Sequence, residues 1–218
     1  MQTLDFICKK YGVGKKGRIE IPDMDRRDLA ILFNDLGFKR GVEIGVERAI
    51  YSKSLCMRIK DLHLTCVDPW QAYKGYREHV SQEKLDGFYE ESKKRLAPYN
   101  VDFIRDYSVN AAKQFQEGEL DFVYIDGNHE FSHTVADIAA WTPKVRIGGI
   151  VAGHDYIARK NPEYLMGVIP AIHGYTEAYQ IEPLFIAGAK DKKEGWKRDD
   201  QRSWFFVVEK NPNSYKQP

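Results

Sequence analysis

Apolar and polar residues follow each other along the chain in blocks that predict a repeat of strands and helices. From Gly41 onward, short apolar runs with the composition of buried strands are separated by longer stretches with helical periodicity. The predicted strands cover residues 41–46, 62–67, 101–105, 122–125 and 149–152. The predicted helices follow them, ending near residue 60 and covering about 81–97, 111–116, 131–141 and 166–179. This alternation is typical of βαβ units and a parallel sheet.

The two ends of the chain depart from the repeat. Residues 183–187 and 204–208 form two apolar runs with no helix between them, which predicts an antiparallel pair across a charged loop. Residues 1–40 are predicted to be a helical appendage, with a short helix near 4–10, a Gly/Lys-rich loop at 12–17 and a helix after residues 22–25. The apolar stripe of that last helix consists of Leu29, Ile31, Leu32 and Leu36. Residues 41–218 are predicted to be one globular unit, and the roles left open for residues 1–40 are dimerisation and covering a ligand.

Composition narrows the classes of function. The chain has 218 residues, 43% of them hydrophobic, and a formal net charge of +1, which favours neither nucleic acid nor a membrane surface as a partner. Its first residues lack the apolar core of a signal peptide, and the sequence has no apolar run of membrane-spanning length. Its three cysteines lie in unrelated contexts, which indicates reduced thiols and a cytoplasmic protein.

Two of the predicted strands end at candidate chemical groups. The run at 121–125 leads into Asp126 and His129, and the run at 149–152 leads into His154 and Asp155. Parallel strands that end side by side bring these four side chains to one edge of the sheet, where open α/β folds bind ligands. The alternatives are local roles, namely turn formation by Asp126, an exposed loop position for His129 and helix capping by Asp155.

The first half of the repeat indicates a nucleoside site. Gly45 ends the first strand of the repeat and leads into a helix, and Asp68 ends the next strand, where an acidic residue can bind ribose hydroxyls. A dinucleotide site needs several glycines, whereas this loop has one glycine followed by Glu47, which favours a ligand without phosphates such as S-adenosylmethionine. The alternative is that Gly45 serves only a tight turn and Asp68 only caps a helix.

These stretches carry a family resemblance. Residues 42–46 (VEIGV), 66–70 (CVDPW), 121–130 (DFVYIDGNHE) and 141–156 (WTPKVRIGGIVAGHDY) are similar to class I S-adenosylmethionine-dependent methyltransferases. Within that class the chain resembles the group of small-molecule enzymes that includes macrocin O-methyltransferase and cephalosporin hydroxylase-like proteins. The resemblance implies an α/β, Rossmann-like, doubly wound and mostly parallel sheet of seven strands with a C-terminal antiparallel β-hairpin.

The resemblance also implies roles for residues of the cofactor site. Glu43 and Gly45 would lie near the methionine portion, Asp68 would bind the ribose, and Asp126, after the fourth strand of the repeat, would be a further cofactor-binding residue. Pro69 and Trp70 would flank the adenine, and Asp106 or Ser108 would reach its amino edge. The sequence departs from many relatives at Ala49, where they have a second glycine, and this puts the geometry of the loop in question.

Methyl transfer to a hydroxyl group needs a base that removes the proton of this group. Candidates for this base follow the predicted strands at 122–125 and 149–152. His129 is the first candidate for that base and His154 the second, because imidazole titrates near neutral pH. A divalent metal is the other means of activation, with Asp126, Asp155 and His154 as ligands for Mg²⁺ or Mn²⁺. The resembling enzymes have an acidic pair where this chain has His154 and Asp155, and a histidine there shifts the preference from Mg²⁺ toward Mn²⁺ or Fe²⁺.

The acceptor is predicted to be a small molecule, such as a sugar or a natural product, methylated on a hydroxyl. Aromatic residues in the segments after the second and fifth strands suit such a ligand, namely Tyr73, Tyr76, Tyr156 and Tyr175. Cations nearby are either anion-recognition groups or a solvated face, namely Lys74, Arg77, Arg159 and Lys160. A homo-oligomer is also compatible with the sequence.

Three other functions stay open. The element Gly-Asn-His-Glu at 127–130 matches calcineurin-like metallophosphoesterases, but no Gly-Asp-x-x-Asp supplies a bridging carboxylate for two metals. A nucleotide-dependent oxidoreductase is disfavoured by the single-glycine loop. A non-catalytic S-adenosylmethionine-binding or assembly protein would explain His154 as a residue that has replaced an acidic ligand.

Overall fold

The structure is a computed structural model that describes residues 2–74, 76, 77, 79–158, 160, 161, 164–190, 199 and 201–211. Its helices are α1 (Thr3–Tyr11), α2 (Arg26–Asp35), α3 (Ile50–Arg58), α4 (Gln82–Leu96), α5 (Ser108–Ala111), α6 (Phe131–Trp141) and α7 (Val168–Ala178). Its first strands are β1 (Arg18–Ile21), β2 (Arg40–Ile44), β3 (His63–Val67), β4 (Val101–Ile104), β5 (Leu120–Ile125) and β6 (Val145–Gly153). Its later strands are β7 (Lys160–Asn161), β8 (Tyr164–Leu165), β9 (Leu184–Ala187) and β10 (Ser203–Val207).

The main sheet is doubly wound around a switch point between β2 and β5. The strand order is β1-β9-β10-β6-β5-β2-β3-β4, with β4, β3, β2, β5 and β6 parallel to one another. The chain runs outward from β2 to β4 and then returns to β5 on the other side of β2. A crevice opens at the carboxyl ends of the strands at such a switch point, and ligands bind there in this class of fold. β10 pairs antiparallel with both β9 and β6, which confirms the predicted C-terminal hairpin.

Among the described residues, the main sheet has eight strands, one more than the seven expected. The additional strand, β1, pairs in parallel with β9, from Arg18 opposite Leu184 to Ile21 opposite Ala187. The prediction missed it because four residues next to a Gly/Lys-rich loop carry too little pattern, and their partner strand is far away in the sequence. The N-terminal segment therefore contributes the helices α1 and α2 to the core and the strand β1 to the main sheet.

Helix α2 is defined by its cap and by its buried face. The Asp25 side chain accepts hydrogen bonds from the backbone N–H groups of Arg27 and Asp28, and the Asp28 side chain accepts one from the N–H of Asp25. This capping box fixes where the helix begins. The predicted apolar stripe is wrong at Ile31, which is 43% exposed, because Phe33 takes the buried position instead.

The core forms two layers, one on each face of the sheet. One layer joins α1, α2 and α3 to residues such as Phe122 and Phe205, and the other joins α6 and α7 to residues such as Val123 and Trp204. Alternate residues of the same strands enter opposite layers, as expected for a sheet that is covered on both faces. The three cysteines are free thiols, as predicted. Among the described residues, no helix has the length and apolarity needed to cross a membrane.

Candidate active site

A cavity of about 420 Å³ lies at the carboxyl ends of β2 to β5. Five of the residues predicted for the cofactor site line it, namely Gly45, Asp68, Pro69, Trp70 and Ser108. Its walls are largely apolar, with Ile44, Val67, Leu85 and Phe88 among the contributors. A concave, mostly apolar cavity with a few fixed polar groups is the usual form of a cofactor site.

Gly45 is required by a close approach of two loops. It has a φ of +82°, and a Cβ atom at this position would lie 2.0 Å from the carbonyl oxygen of Asp126. Only glycine fits such a position, because the backbone after β2 passes directly against the turn after β5. Ala49, where the family resemblance implies a glycine in many relatives, also lies in the left-handed region, with a φ of +55°. The loop therefore keeps the conformation that glycine favours despite the change of residue.

The Asp68 carboxylate is fixed at the end of β3. It accepts hydrogen bonds from the backbone N–H of Glu47 at 2.9 Å and of Trp70 at 2.7 Å. Burial raises the pKa of Asp68, and these hydrogen bonds lower it by a smaller amount. The carboxylate therefore stands at the cavity wall in a defined orientation, which suits the recognition of a pair of hydroxyl groups.

Trp70 and Asp106 are held by contacts within the protein. The indole of Trp70 is 1% exposed, packs against Tyr89 and Phe103, and donates a hydrogen bond to the carbonyl of Glu47 at 2.8 Å. Trp70 also lines the cavity, and its contact with an adenine stays a prediction. Asp106 is not among the cavity residues, because its carboxylate accepts hydrogen bonds from the N–H of Tyr107 and the side chain of Asn110.

Glu43 is buried in the core next to Ser52 and is not among the residues that line the cavity. Burial raises the pKa of Glu43 to about 8, so the side chain is largely protonated at neutral pH. One of its carboxyl oxygens has no hydrogen-bond partner among the described residues. The predicted contact of Glu43 with a methionine portion stays a prediction.

Asp137 is a cavity residue that the sequence analysis did not single out. It lies on α6, it is buried, and it faces the cavity beside Ser108. Burial raises the pKa of Asp137 to about 6, which the interaction with Ser108 opposes only partly. The signal in the sequence was a lone carboxylate in the buried stripe of α6, at helical spacing from Thr134 and Trp141.

The four side chains predicted after β5 and β6 come together as one acid and histidine cluster, defined here as Asp126, His129, His154 and Asp155. The Nδ1 atom of His154 lies 3.3 Å from Oδ2 of Asp155 and 3.7 Å from Oδ2 of Asp126. The Nε2 atom of His129 lies 2.9 Å from Oδ2 of Asp155 and 3.7 Å from Oδ1 of Asp126. The sequence prediction that these residues share one edge of the sheet is therefore correct.

The electrostatics of the cluster follow from its geometry. Burial disfavours the charged form of both histidines, but the facing carboxylates outweigh it and raise the pKa of His129 and of His154 to about 9. Burial opposes ionisation of Asp155 as well, yet the two histidines hold the pKa of this carboxyl well below its usual range. Although His129 Nε2 is close to two carboxylates, it is buried and makes no hydrogen bond of acceptable geometry with the described residues.

The donor atoms of the cluster fit a metal ion. One ligand atom each from Asp126, His154 and Asp155 lies within 4.8 Å of the others, and all three residues are at least partly buried. Two carboxylates and one imidazole form a donor set that divalent ions accept. Asp155 has a φ of +54°, so its backbone is held in an unusual conformation at this point.

Two charged residues that the sequence did not indicate complete the cluster. The Nε atom of Arg26, at the start of α2, lies 2.5 Å from Oδ2 of Asp199, and its Nη1 atom lies 3.4 Å from Oδ2 of Asp126. The same oxygen of Asp199 lies 3.3 Å from Nε2 of His154. No local pattern marks Arg26 or Asp199, because their partners are far away in the sequence.

The candidate acceptor residues separate into two groups. Tyr73 and Tyr76 line the cavity, as do Lys74 and Arg77, and the hydroxyl of Tyr73 accepts a hydrogen bond from Asn128 at 3.1 Å. Tyr156 and Tyr175 are both buried, which corrects their assignment to the acceptor site. The Tyr156 hydroxyl is 2.7 Å from His173, and Tyr175 packs on Tyr179 and Phe206. Arg159 and the side chain of Lys160 lie outside the described residues.

The fold and this site together define a methyltransferase of class I. Residues 42–156, just over half of the chain, match the family model described as a methyltransferase domain, and the chain belongs to that family. The match contains the whole acid and histidine cluster. Arg26 and Asp199 lie outside it.

Solved structures share the fold at low sequence identity. An O-methyltransferase from Bacillus cereus in complex with SAH superimposes with a TM-score of 0.56 at 15% identity, covering 83% of this chain and 79% of that one. The O-methyltransferase TomG from Streptomyces achromogenes, involved in tomaymycin synthesis and in complex with SAM, gives a TM-score of 0.55 at 16% identity, covering 84% and 79%. An rRNA methylase from Streptococcus thermophilus gives 0.55 at 12% identity, covering 84% and 93%. No curated protein matches the chain.

Proposed function

We propose that the protein transfers the methyl group of S-adenosylmethionine to a hydroxyl oxygen of a small molecule. The observation that carries this proposal concerns the turn after β5. This turn borders both the cavity and the acid and histidine cluster. Gly127 lines the cavity, and the preceding residue, Asp126, belongs to the cluster. A cofactor in the cavity would therefore have its reactive end next to the groups that can bind and deprotonate an acceptor.

The charges of the cavity favour this cofactor over a nucleotide phosphate. Three acidic residues line the cavity, namely Glu47, Asp68 and Asp137, against two cations, Lys74 and Arg77. This excess of acidic groups disfavours a phosphate, whereas it suits a nucleoside with a cationic sulfonium group. The family and two of the similar structures, which are complexes with SAH and with SAM, support the same cofactor.

Asp126, His154 and Asp155 are the residues that would hold a divalent metal such as Mg²⁺ or Mn²⁺. When bound, such an ion polarises an acceptor hydroxyl and lowers its pKa. The side chains of the protein would orient the acceptor and remove the proton of its hydroxyl group. In this assignment His129 is the base in its neutral form, after it has lost the proton that the facing carboxylates of Asp126 and Asp155 favour.

The proposed acceptor is a small hydroxylated molecule with a flat face, such as a sugar or a natural product. Tyr73, Tyr76 and Tyr107 surround the mouth of the cavity, with the ring of Tyr73 5.1 Å from that of Tyr76 and 5.5 Å from that of Tyr107. Aromatic rings in this arrangement suit stacking on a ring of the acceptor. The net charge of +1 gives no support to a nucleic-acid acceptor.

The test is calorimetric titration with S-adenosylhomocysteine, with and without Mn²⁺, followed by an assay of methyl transfer from labelled S-adenosylmethionine to a panel of hydroxylated compounds. We expect micromolar binding and transfer to oxygen. Binding without transfer to any compound would favour a non-catalytic binder, and an absence of binding would refute the proposed cofactor.

A further inference from the structure

We propose that Arg26 and Asp199 form a positioning relay that fixes the ring of His154, so that its Nδ1 atom faces Asp126 and Asp155. Asp199 connects the two ends of this relay through a single oxygen. Its Oδ2 atom lies 2.5 Å from Nε of Arg26 and 3.3 Å from Nε2 of His154. Neither Arg26 nor Asp199 is proposed to contact the cofactor or the acceptor, and both act through the histidine.

The two residues come from opposite ends of the chain. Arg26 is the first residue of α2, and Asp199 precedes β10, so both lie outside the residues 42–156 that match the methyltransferase domain. The matched domain supplies Asp126, His154 and Asp155, and the flanking elements supply the groups that orient the histidine. The flanking segments of this chain therefore have a function in the site in addition to their places in the fold.

Arg26 is held firmly enough to act as an anchor. Its backbone carbonyl accepts a hydrogen bond from the hydroxyl of Tyr51 at 2.7 Å, and its guanidinium group lies 5.2 Å from the centre of the Tyr51 ring. Its Nη1 atom reaches Asp126 at 3.4 Å, so the guanidinium contacts carboxylates on both sides of His154. A planar guanidinium group has N–H donors at fixed angles, so it can hold two carboxylates at a fixed position relative to each other.

The backbone of His154 is fixed independently of the relay. Its N–H donates to the carbonyl of Ile125 at 3.0 Å, and its carbonyl accepts from the indole of Trp204 at 3.2 Å. These bonds leave the rotation of the imidazole about its own axis undetermined. The carboxylates on the two sides of the ring determine it, because Nε2 lies 3.3 Å from Oδ2 of Asp199 and Nδ1 lies 3.3 Å from Oδ2 of Asp155. Asp199 supplies the Nε2 side of this arrangement.

The consequence is a histidine prepared to bind a cation at Nδ1. A metal-binding histidine typically donates its other ring N–H to a carboxylate, which fixes its tautomer and raises its basicity. The metal part of this inference rests on the proposed function. The orientation of the ring does not depend on it.

The experiment compares Asp199→Asn with Glu20→Gln as its matched control. Glu20 forms an ion pair with Arg202 at 3.0 Å, which also joins the N-terminal segment to the hairpin but does not reach His154. Two measurements are made on each protein. The first is the ¹⁵N chemical shifts of the two ring nitrogens of His154, assigned by the signal lost in His154→Ala, and the second is the Mn²⁺ affinity in the presence of S-adenosylhomocysteine.

We expect Asp199→Asn to change the ring shifts of His154 and to weaken Mn²⁺ binding by roughly 10- to 100-fold, the usual effect of losing such an outer partner. Affinity for S-adenosylhomocysteine should stay within about twofold, and Glu20→Gln should match the wild type throughout. Arg26→Lys, which keeps the charge but loses the planar geometry, should give a smaller effect than Arg26→Gln.

Unchanged His154 shifts in Asp199→Asn would overturn the relay, whatever happens to metal binding. If the wild-type protein binds no Mn²⁺, the metal part of the proposed function fails, and the ring shifts still decide the relay. If Asp199→Asn and Glu20→Gln disturb the shifts equally, the ion pairs only hold the chain ends together and the relay is refuted.

Discussion

Gly45 and the carbonyl oxygen of Asp126 are so close that a Cβ atom on residue 45 would lie 2.0 Å from that oxygen. The loop that borders the cofactor cavity is therefore packed directly against the turn that begins the acid and histidine cluster. Movement of one loop must displace the other. This contact couples the two halves of the candidate site mechanically.

Gly45→Ala should therefore damage both halves together. We expect a loss of about 2–4 kcal/mol in the free energy of unfolding, because the substitution combines a left-handed backbone with an overlap of backbone atoms. Affinity for S-adenosylhomocysteine should fall with it. Urea denaturation and calorimetry measure the two effects.

The control for this substitution is Gly87→Ala. Gly87 lies in the middle of α4, and nothing lies within 4 Å of its expected Cβ position. Alanine should stabilise this helix by up to about 1 kcal/mol and leave binding unchanged. If Gly45→Ala behaved like Gly87→Ala, the loops would not be in the contact described.

The sequence predicted those residues of the candidate site that directly follow a parallel strand. It did not predict Arg26 and Asp199, which lie in other parts of the chain. Asp126, His129, His154 and Asp155 could be found because parallel strands bring their carboxyl ends to one edge, whatever the details of packing. Asp199 could not, because it lies 45 residues from His154 and its position depends on how the hairpin returns to β6.

The same distinction applies to the fold. The alternation of strands and helices predicted the parallel core of the sheet, since each element carries its own pattern. Strand β1 has four residues and is defined by its pairing with β9, which no local pattern records. The packing of Trp70 on Tyr89 and Phe103 also joins residues that are distant in the sequence, so no local pattern predicted it.

Asp137 should make the stability of the protein depend on pH. Its pKa is about 6 in the folded state, above the ordinary value of 3.8, so folding keeps the proton that the unfolded chain releases. Stability should therefore fall as the pH rises from about 4 to 6, by on the order of 3 kcal/mol, and stay at the lower level above that range. Below pH 4 the residue is protonated in both states and contributes no difference.

Asp137→Asn removes this titration and should be compared with the wild type by urea denaturation at several pH values. The difference in the free energy of unfolding between the two proteins should shift in favour of the variant across pH 4 to 6. Parallel curves over that range would show that Asp137 has an ordinary pKa. Because the residue faces the cavity, the variant should also bind S-adenosylhomocysteine more weakly, even where it is the more stable protein.

His129→Ala should separate catalysis from cofactor binding. As the proposed base, His129 should contribute roughly 10²- to 10⁴-fold to the rate of methyl transfer, while affinity for S-adenosylhomocysteine stays near the wild-type value. The control is His63→Ala, because His63 pairs with Asp102 at the start of β3, at the opposite end of that strand from the cavity. Equal losses of turnover and binding in His129→Ala would indicate a structural role instead.

Asp155→Asn tests the metal part of the proposal with the least disturbance of the backbone. Residue 155 has a φ of +54°, and asparagine tolerates the left-handed region as well as aspartate does, so the turn after β6 should persist. The substitution removes one carboxylate from the three-residue donor set. Since even an outer partner of a metal ligand contributes 10- to 100-fold, we expect Mn²⁺ affinity to fall by roughly 100-fold or more, measured by electron paramagnetic resonance. Unchanged Mn²⁺ binding in a folded Asp155→Asn protein would show that the ion binds elsewhere or that Asp155 is not its ligand.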